Sequence, residues 1–194
     1  FCLSRGLGDV YKRQVEEMIG SGGYASVYRA TDLEFGYARA IKEVSDPDAR
    51  VRRQFQLEAQ LLINTSHANV PRGYEIFEER GRMYFVMEFI RGKDLEELLN
   101  ESLTQRQRPL DEAQTVRWMM DVCDALGELH SLGVPIIHRD LKPANIKITP
   151  EDRPVLIDFG LAKLQKRDGR ATATAAQGVS PGFAPPEQYM AKGR

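Results

Sequence analysis

Cysteine is nearly absent: Cys2 and Cys123 are the only two in 194 residues. Two thiols so far apart make no disulfide framework, which excludes a cystine-stapled fold and points to a reducing compartment. No apolar run approaches the ~20 residues that span a bilayer. Neither sign of charge is in excess. The net charge of −1 gives no ground for nucleic acid or an anionic membrane as partner. There is no internal repeat and no secretory signal. What remains is ordinary soluble material, 42% hydrophobic and 28% charged. A chain of this length can bury roughly 70% of its unfolded surface.

What the chain does hold is a concentration of chemically capable side chains. The stretch Ile136-Ile137-His138-Arg139-Asp140-Leu141-Lys142-Pro143-Ala144-Asn145 brings a carboxylate, a lysine and a carboxamide within six residues. Asp140 can accept a proton, Lys142 can neutralise a phosphate oxygen, and Asn145 can offer its amide oxygen to a hard cation such as Mg²⁺. Asp158-Phe159-Gly160 adds a second carboxylate, thirteen residues after Asn145. Upstream, Gly20-Ser21-Gly22-Gly23-Tyr24-Ala25 joins two predicted strands, and its backbone N–H groups can approach phosphates closely. Taken alone, the same glycines equally suit a tight hairpin. Tyr37 to Glu43 is a predicted strand with Ala40 and Lys42 on one face. Asp46-Pro47 opens a predicted helix to about Asn64. On it Phe55, Glu58 and Leu62 share a face. A carboxylate on an inward stripe needs a cation: Lys42 is one partner, and Arg50, Arg52 and Arg53 at the rim are the others.

Further along, Gly73–Glu78 and Met83–Phe89 form a predicted antiparallel pair completing a five-stranded sheet. Asp94–Asn100 is a short helix and Glu101–Pro109 a polar surface loop. Asp111 to Gln114 forms a capping box that opens a long helix. Its apolar stripe is Val116, Met119, Met120, Cys123, Leu126, Leu129 and His130, which makes Cys123 a core thiol. Ile146–Thr149 and Val155–Ile157 form a hairpin that presents Asn145 and Asp158 from adjacent backbones. Leu161–Gln177 has the composition of a mobile loop.

Taken in order, the glycine loop, A-x-K, helix glutamate, H-R-D-L-K-x-x-N, D-F-G and P-P-E resemble the signature set of protein kinases, in the bacterial (eukaryotic-like) serine/threonine class. The resemblance runs from Val15 to the end of the chain. It implies an α+β, bilobal fold: an N-lobe over residues 15–89, with a five-stranded antiparallel sheet and helix C, and an incomplete, mainly helical C-lobe over 90–194. It implies ATP and Mg²⁺ as cofactors, and proteins bearing serine or threonine as partners. By the same resemblance, Gly20, Ser21, Gly22 and Gly23 would cradle phosphates, and Val27 and Ala40 would lie at the nucleotide. Lys42, fixed by Glu58, would grip the α and β phosphates. Met87 would be the gatekeeper, and the main chain of Glu88 and Ile90 would read adenine. Asp140 would be the catalytic base, with Lys142 on the γ-phosphoryl group and Asn145 and Asp158 on the metal. Ser180 would bond Asp140 and Lys142. Thr172 and Thr174 are candidate phosphosites, and Arg139 would receive such a phosphate. There are two departures from the family pattern. Ala25 stands at the third glycine, and Lys147 stands where an apolar floor for adenine is usual, its stem serving while its ammonium reaches water.

A pseudokinase-type binding module is the competing class, although the chain keeps the lysine, the loop aspartate and the metal aspartate. Residues 4–14 resemble a translated sequencing adapter, so residues 1–14 are expected to be a non-native segment, with native sequence starting near Val15. The helices that follow P-P-E in the family are expected to be missing. Their absence would leave Glu187 without its partner and the long helix partly bare, giving a poorly soluble chain that is weakly active or an inactive fragment. The catalytic domain is expected in the cytoplasm, with a membrane tether open in the missing region.

Overall fold

The computed structural model describes residues 2–5, 9–21, 25–45, 48–133, 135–159, 163–164 and 180–190. The chain forms two compact units, Phe1–Ser66 with Pro71–Phe89, and His67–Val70 with Ile90–Arg194.

The first unit is an antiparallel sheet and one helix. Its strands are β1 (Cys2–Arg5), β2 (Asp9–Ser21), β3 (Ala25–Asp32), β4 (Ala38–Val44), β5 (Gly73–Glu79) and β6 (Arg82–Glu88), in the order β1-β2-β3-β4-β6-β5. The five expected strands are β2 to β6. β1 adds a short sixth at the edge, and the segment resembling an adapter supplies half of β1 (Ser4 and Arg5) and the first part of β2. Alternation along β4 sends Ala40, Lys42 and Val44 to one face, and Arg39, Ile41 and Glu43 to the other. On the second face Ala30, Ile41, Tyr84 and Val86 form a small buried cluster flanked by Val15 and Phe77. The sheet coils enough that Arg13 of β2 pairs with Glu75 of β5, with three strands between them in the order.

Helix α1 (Ala49–Asn64) packs on β5 and β6. Its cap is Asp48, whose carboxylate accepts from Arg50 N at 2.7 Å. The expected start, Asp46-Pro47, lies outside the described residues. Phe55, Glu58, Ala59 and Leu62 are buried on one stripe, and Phe55 meets Phe85 edge to face at 6.4 Å. β5 begins hard against the last turn of α1. A Cβ on Gly73 would stand 2.7 Å from Ile63 N, so only glycine fits there.

The second unit contains β7 (Lys93–Asp94), α2 (Leu95–Gln105), α3 (Glu112–Ser131) and β8 (Ile136–Ile137). One 3₁₀ turn at Pro143–Asn145 follows, then β9 (Ile146–Ile148), β10 (Pro154–Leu156), β11 (Lys163–Leu164) and α4 (Pro186–Met190). The strands form two small sheets, β10-β9-β7 and β11-β8. The turn His67–Val70 belongs here because Asn69 bonds β10 twice. Its Nδ2 donates to Pro154 O at 2.6 Å, and its carbonyl accepts from Leu156 N at 2.8 Å.

Two expectations are corrected in this unit. α2 continues to Gln105, through half of the expected loop. A full capping box between Asp94 and Glu97 starts it, and no glycine or proline interrupts it before Pro109. In α3 the buried residues are Trp118, Val122, Ala125 and Leu129, whereas Val116, Met120, Cys123 and His130 are exposed. Cys123 is therefore a surface thiol. The helix carries two apolar stripes, and the one holding Trp118 faces inward. Its indole Nε1 donates to Asp152 Oδ1 at 3.0 Å, and Gln114 Nε2 donates to the same oxygen at 2.9 Å. Gln114 thus supplies half of a capping box: Asp111 Oδ1 accepts from its N–H, while its side chain serves Asp152. Among the described residues no helix is long and apolar enough to cross a membrane.

Candidate active site

In the first unit the β4 register sets Lys42 between Val27 of β3 and Phe85 of β6, and sets Ala40 opposite Met87. Lys42 Nζ donates to both carboxylate oxygens of Glu58, at 2.7 and 2.9 Å. Both residues are buried, Glu58 at 3% exposure. Arg52, one of the rim alternatives, instead pairs with Glu78 at 2.6 Å. Gly20 and Ser21 end β2 opposite Val27 and Ser26. Gly22 and Gly23 lie outside the described residues. Glu88 N is committed to Arg72 O at 2.8 Å.

In the second unit the loop between β8 and the 3₁₀ turn folds around His138, which is 2% exposed. Its ring sits edge-on to Phe159 at 4.7 Å. Nε2 lies 3.2 Å from Ile157 O, and Nδ1 accepts from Asp140 N at 3.3 Å. These partners define a neutral ring carrying its proton on Nε2. Burial pushes the His138 pKa down, against smaller upward pulls from the Ile157 carbonyl, Asp158 and Asp140. The neutral form is favoured in the folded chain, so below about pH 6.5 the unfolded chain takes up the extra proton. Stability is expected to fall as the pH drops from that value towards the lowered one. Thermal midpoints at pH 7.5 and 5.5 should differ less in His138→Gln than in the parent; an unchanged difference would assign the pH dependence to other groups.

Asp140, 8% exposed, has both carboxylate oxygens engaged. Oδ1 accepts from Ser180 Oγ at 2.6 Å. Oδ2 lies 3.0 Å from Lys142 Nζ and accepts from Asn145 Nδ2 at 2.9 Å. Lys142 Nζ also donates to Ser180 Oγ at 3.0 Å, and Asn145 Nδ2 also donates to Asp140 O at 2.8 Å. The 3₁₀ turn, closed by Asn145 N donating to Lys142 O, folds Asn145 back onto the aspartate. With its Nδ2 committed there, Asn145 turns Oδ1 the other way. Ile157 N donates to Asn145 O at 2.8 Å, which sets Asp158 beside the asparagine along the hairpin. Arg139 and Asp158 both have positive φ, 69° and 59°. Such strain in non-glycine residues gathers where neighbours over-determine the backbone. Gly160, Thr172 and Thr174 lie outside the described residues, as does the Glu187 side chain.

A family model, the protein kinase domain, matches residues 13–193. The chain belongs to the protein kinase family. Among similar kinases, the serine/threonine-protein kinase pkn3 of Myxococcus xanthus is 33% identical over 189 residues, covering 92% of this chain and 33% of that protein. A probable serine/threonine-protein kinase of Corynebacterium efficiens is 35% identical, covering 90% and 26%. The probable serine/threonine-protein kinase YbdM of Bacillus subtilis is 33% identical, covering 79% and 58%. The chain thus spans between a quarter and three fifths of these relatives.

Lys147 lies on β9, and its ammonium donates to Gly92 O at 2.9 Å at an exposed position. The reason is the β7–β9 ladder, which pairs Asp94 with Lys147 and draws the segment after Ile90 onto β9. Gly92, at φ 113°, makes that approach possible: a Cβ there would stand 2.0 Å from Ile148 O. Sequence patterns did not single out Gly92 for this role, although a lone glycine before a capping aspartate was a usable signal. Gly92→Ala is expected to cost about 3 kcal/mol or more, from strain and backbone collision together. Denaturant titration measures this, and a loss below about 1 kcal/mol would show that the contact relaxes easily.

Proposed function

We propose that the chain is catalytic sequence of an ATP-dependent protein serine/threonine kinase. The observation that supports this most is the cluster around Asp140, where a lysine, a serine hydroxyl and an asparagine amide fix both carboxylate oxygens. In this reading a substrate hydroxyl binds beside Asp140. As the hydroxyl oxygen bonds the γ-phosphorus and the bond to ADP breaks, its proton passes to the carboxylate. Lys142 offsets charge on the γ-phosphoryl oxygens. Lys42, held by Glu58, carries the α and β phosphates. Val27, Ala40, Met87 and the main chain of Glu88 and Ile90 hold the base. The pairing of Lys142 with Ser180 suits the serine/threonine class.

Asn145 and Asp158 fit a hard divalent cation such as Mg²⁺. Both offer oxygen donors, and the asparagine amide is already oriented by Asp140. Among the described residues no group of three or more His, Cys, Asp or Glu could hold a metal. Two protein ligands, completed by phosphate oxygens and water, is a usual arrangement for Mg²⁺. When bound, the ion neutralises charge on the nucleotide. Because the transition state is loose, the chain contributes mainly position and electrostatics.

The test is transfer of labelled γ-phosphate from ATP to a generic basic protein, with nucleotide binding as the control. Phosphoserine or phosphothreonine in the product supports the reading. Nucleotide binding without transfer would favour the pseudokinase-type module instead.

A further inference from the structure

We propose that Gln188 is a positioning residue for Asp140, its side-chain amide pinning the peptide that enters the aspartate. The inference rests on the kinase reading above. The peptide joining Arg139 to Asp140 has two polar groups, the carbonyl of Arg139 and the N–H of Asp140. Among the described residues the N–H reaches His138 Nδ1, at a long 3.3 Å. The carbonyl accepts from Gln188 Nε2 at 3.0 Å. Only the NH₂ side of a glutamine can face a carbonyl, so the orientation of the amide is determined. Of the two bonds, the glutamine's has the more ordinary length.

The pinned peptide follows a strained residue. Arg139 holds φ 69° without being glycine. Released from its partners, that backbone has lower-energy conformations available, and the Asp140 carboxylate would move with it. Gln188 is itself anchored: its N–H donates to Pro185 O at 3.0 Å, at the start of α4. The preceding turn is closed by Phe183 N and Ala184 N, both donating to Ser180 O. Ser180 and Gln188 therefore sit on one short, internally bonded segment and reach the same loop by different routes. Ser180 holds the Asp140 side chain; Gln188 holds the main chain before it. With the carboxylate alone held, the peptide could still rotate, and with the peptide alone held, the carboxylate could still turn. The second contact makes the order of residues 180–190 a condition for the position of the base.

The experiment compares the 194-residue chain with Gln188→Met, which keeps length and volume but removes the donor, and Gln188→Glu, which sets an oxygen against the carbonyl. For Gln188→Met, kcat is expected to fall about 10-fold, the worth of one hydrogen bond, with KM for ATP within about 2-fold. Gln188→Glu should fall at least as far. Amide hydrogen exchange in peptides containing Asp140 should quicken in both variants, while thermal midpoints stay near the parent's. Unchanged kcat and unchanged exchange in Gln188→Met would overturn the proposal. If the parent chain transfers no phosphate, exchange alone decides: faster exchange keeps the positioning role, and unchanged exchange removes it.

Discussion

Replacing Asp140 with asparagine is expected to slow phosphoryl transfer by about 10²–10⁴-fold while leaving nucleotide affinity unchanged. The surroundings tolerate the shape of the new side chain. Lys142 Nζ and Asn145 Nδ2 both present donors on the Oδ2 side, so the amide oxygen settles there. The new NH₂ then faces Ser180, whose hydroxyl can rotate to accept. The cluster stays bonded and the fold is kept. What disappears is the capacity to accept the substrate's proton. Single-turnover transfer, measured beside equilibrium binding of ATP, separates the two. Unchanged transfer in Asp140→Asn would remove the base assignment, and lost binding would mean that the cluster had collapsed.

The second large effect concerns the Lys42–Glu58 pair. Lys42→Met leaves a carboxylate buried with its bidentate partner gone, and is expected to cost about 3–5 kcal/mol of stability together with transfer. Adding Glu58→Leu removes the stranded charge from a stripe already shared with Phe55 and Leu62. The double variant should regain most of the stability and none of the transfer. That split distinguishes a pair retained for function from one retained for folding. A double variant that transfers phosphate at the parent's rate would show that Lys42 has no part in holding ATP.

Period and capping made much of the fold legible. Alternation in Ala38–Val44 gives the two faces of β4, and the 3.6-residue spacing of Phe55, Glu58 and Leu62 gives the buried stripe of α1. The same reasoning misplaced α3. Its sequence carries apolar residues on two stripes, and periodicity alone cannot rank them. The deciding contact, Trp118 with Asp152, joins residues 34 apart. α2 ran longer than expected because polar composition signals exposure and does not by itself signal a loop. In the candidate site, motif order identified the chemical groups, since carboxylate, lysine and carboxamide have few interchangeable substitutes. The glutamine on α4 left no such mark. Glutamine is an ordinary surface residue, and its contact with Arg139 depends on a backbone carbonyl that no side-chain pattern records. Lys147 was visible as a departure, but the position of its ammonium depended on a strand pairing of two residues.

The Asn69 anchor has a consequence for the order of folding. The contact with Pro154 closes a span of 85 residues, and the hairpin it fastens carries Asn145 at one end and leads into Asp158 at the other. Loop-closure entropy opposes such a contact until the intervening chain has gained structure of its own. Helix α1 and the β5–β6 hairpin consist of local contacts and form without it. The β9–β10 pairing is itself local, so what the long-range Asn69 contact adds, once the intervening chain has gained structure, is the anchorage of this hairpin to the turn at 67–70.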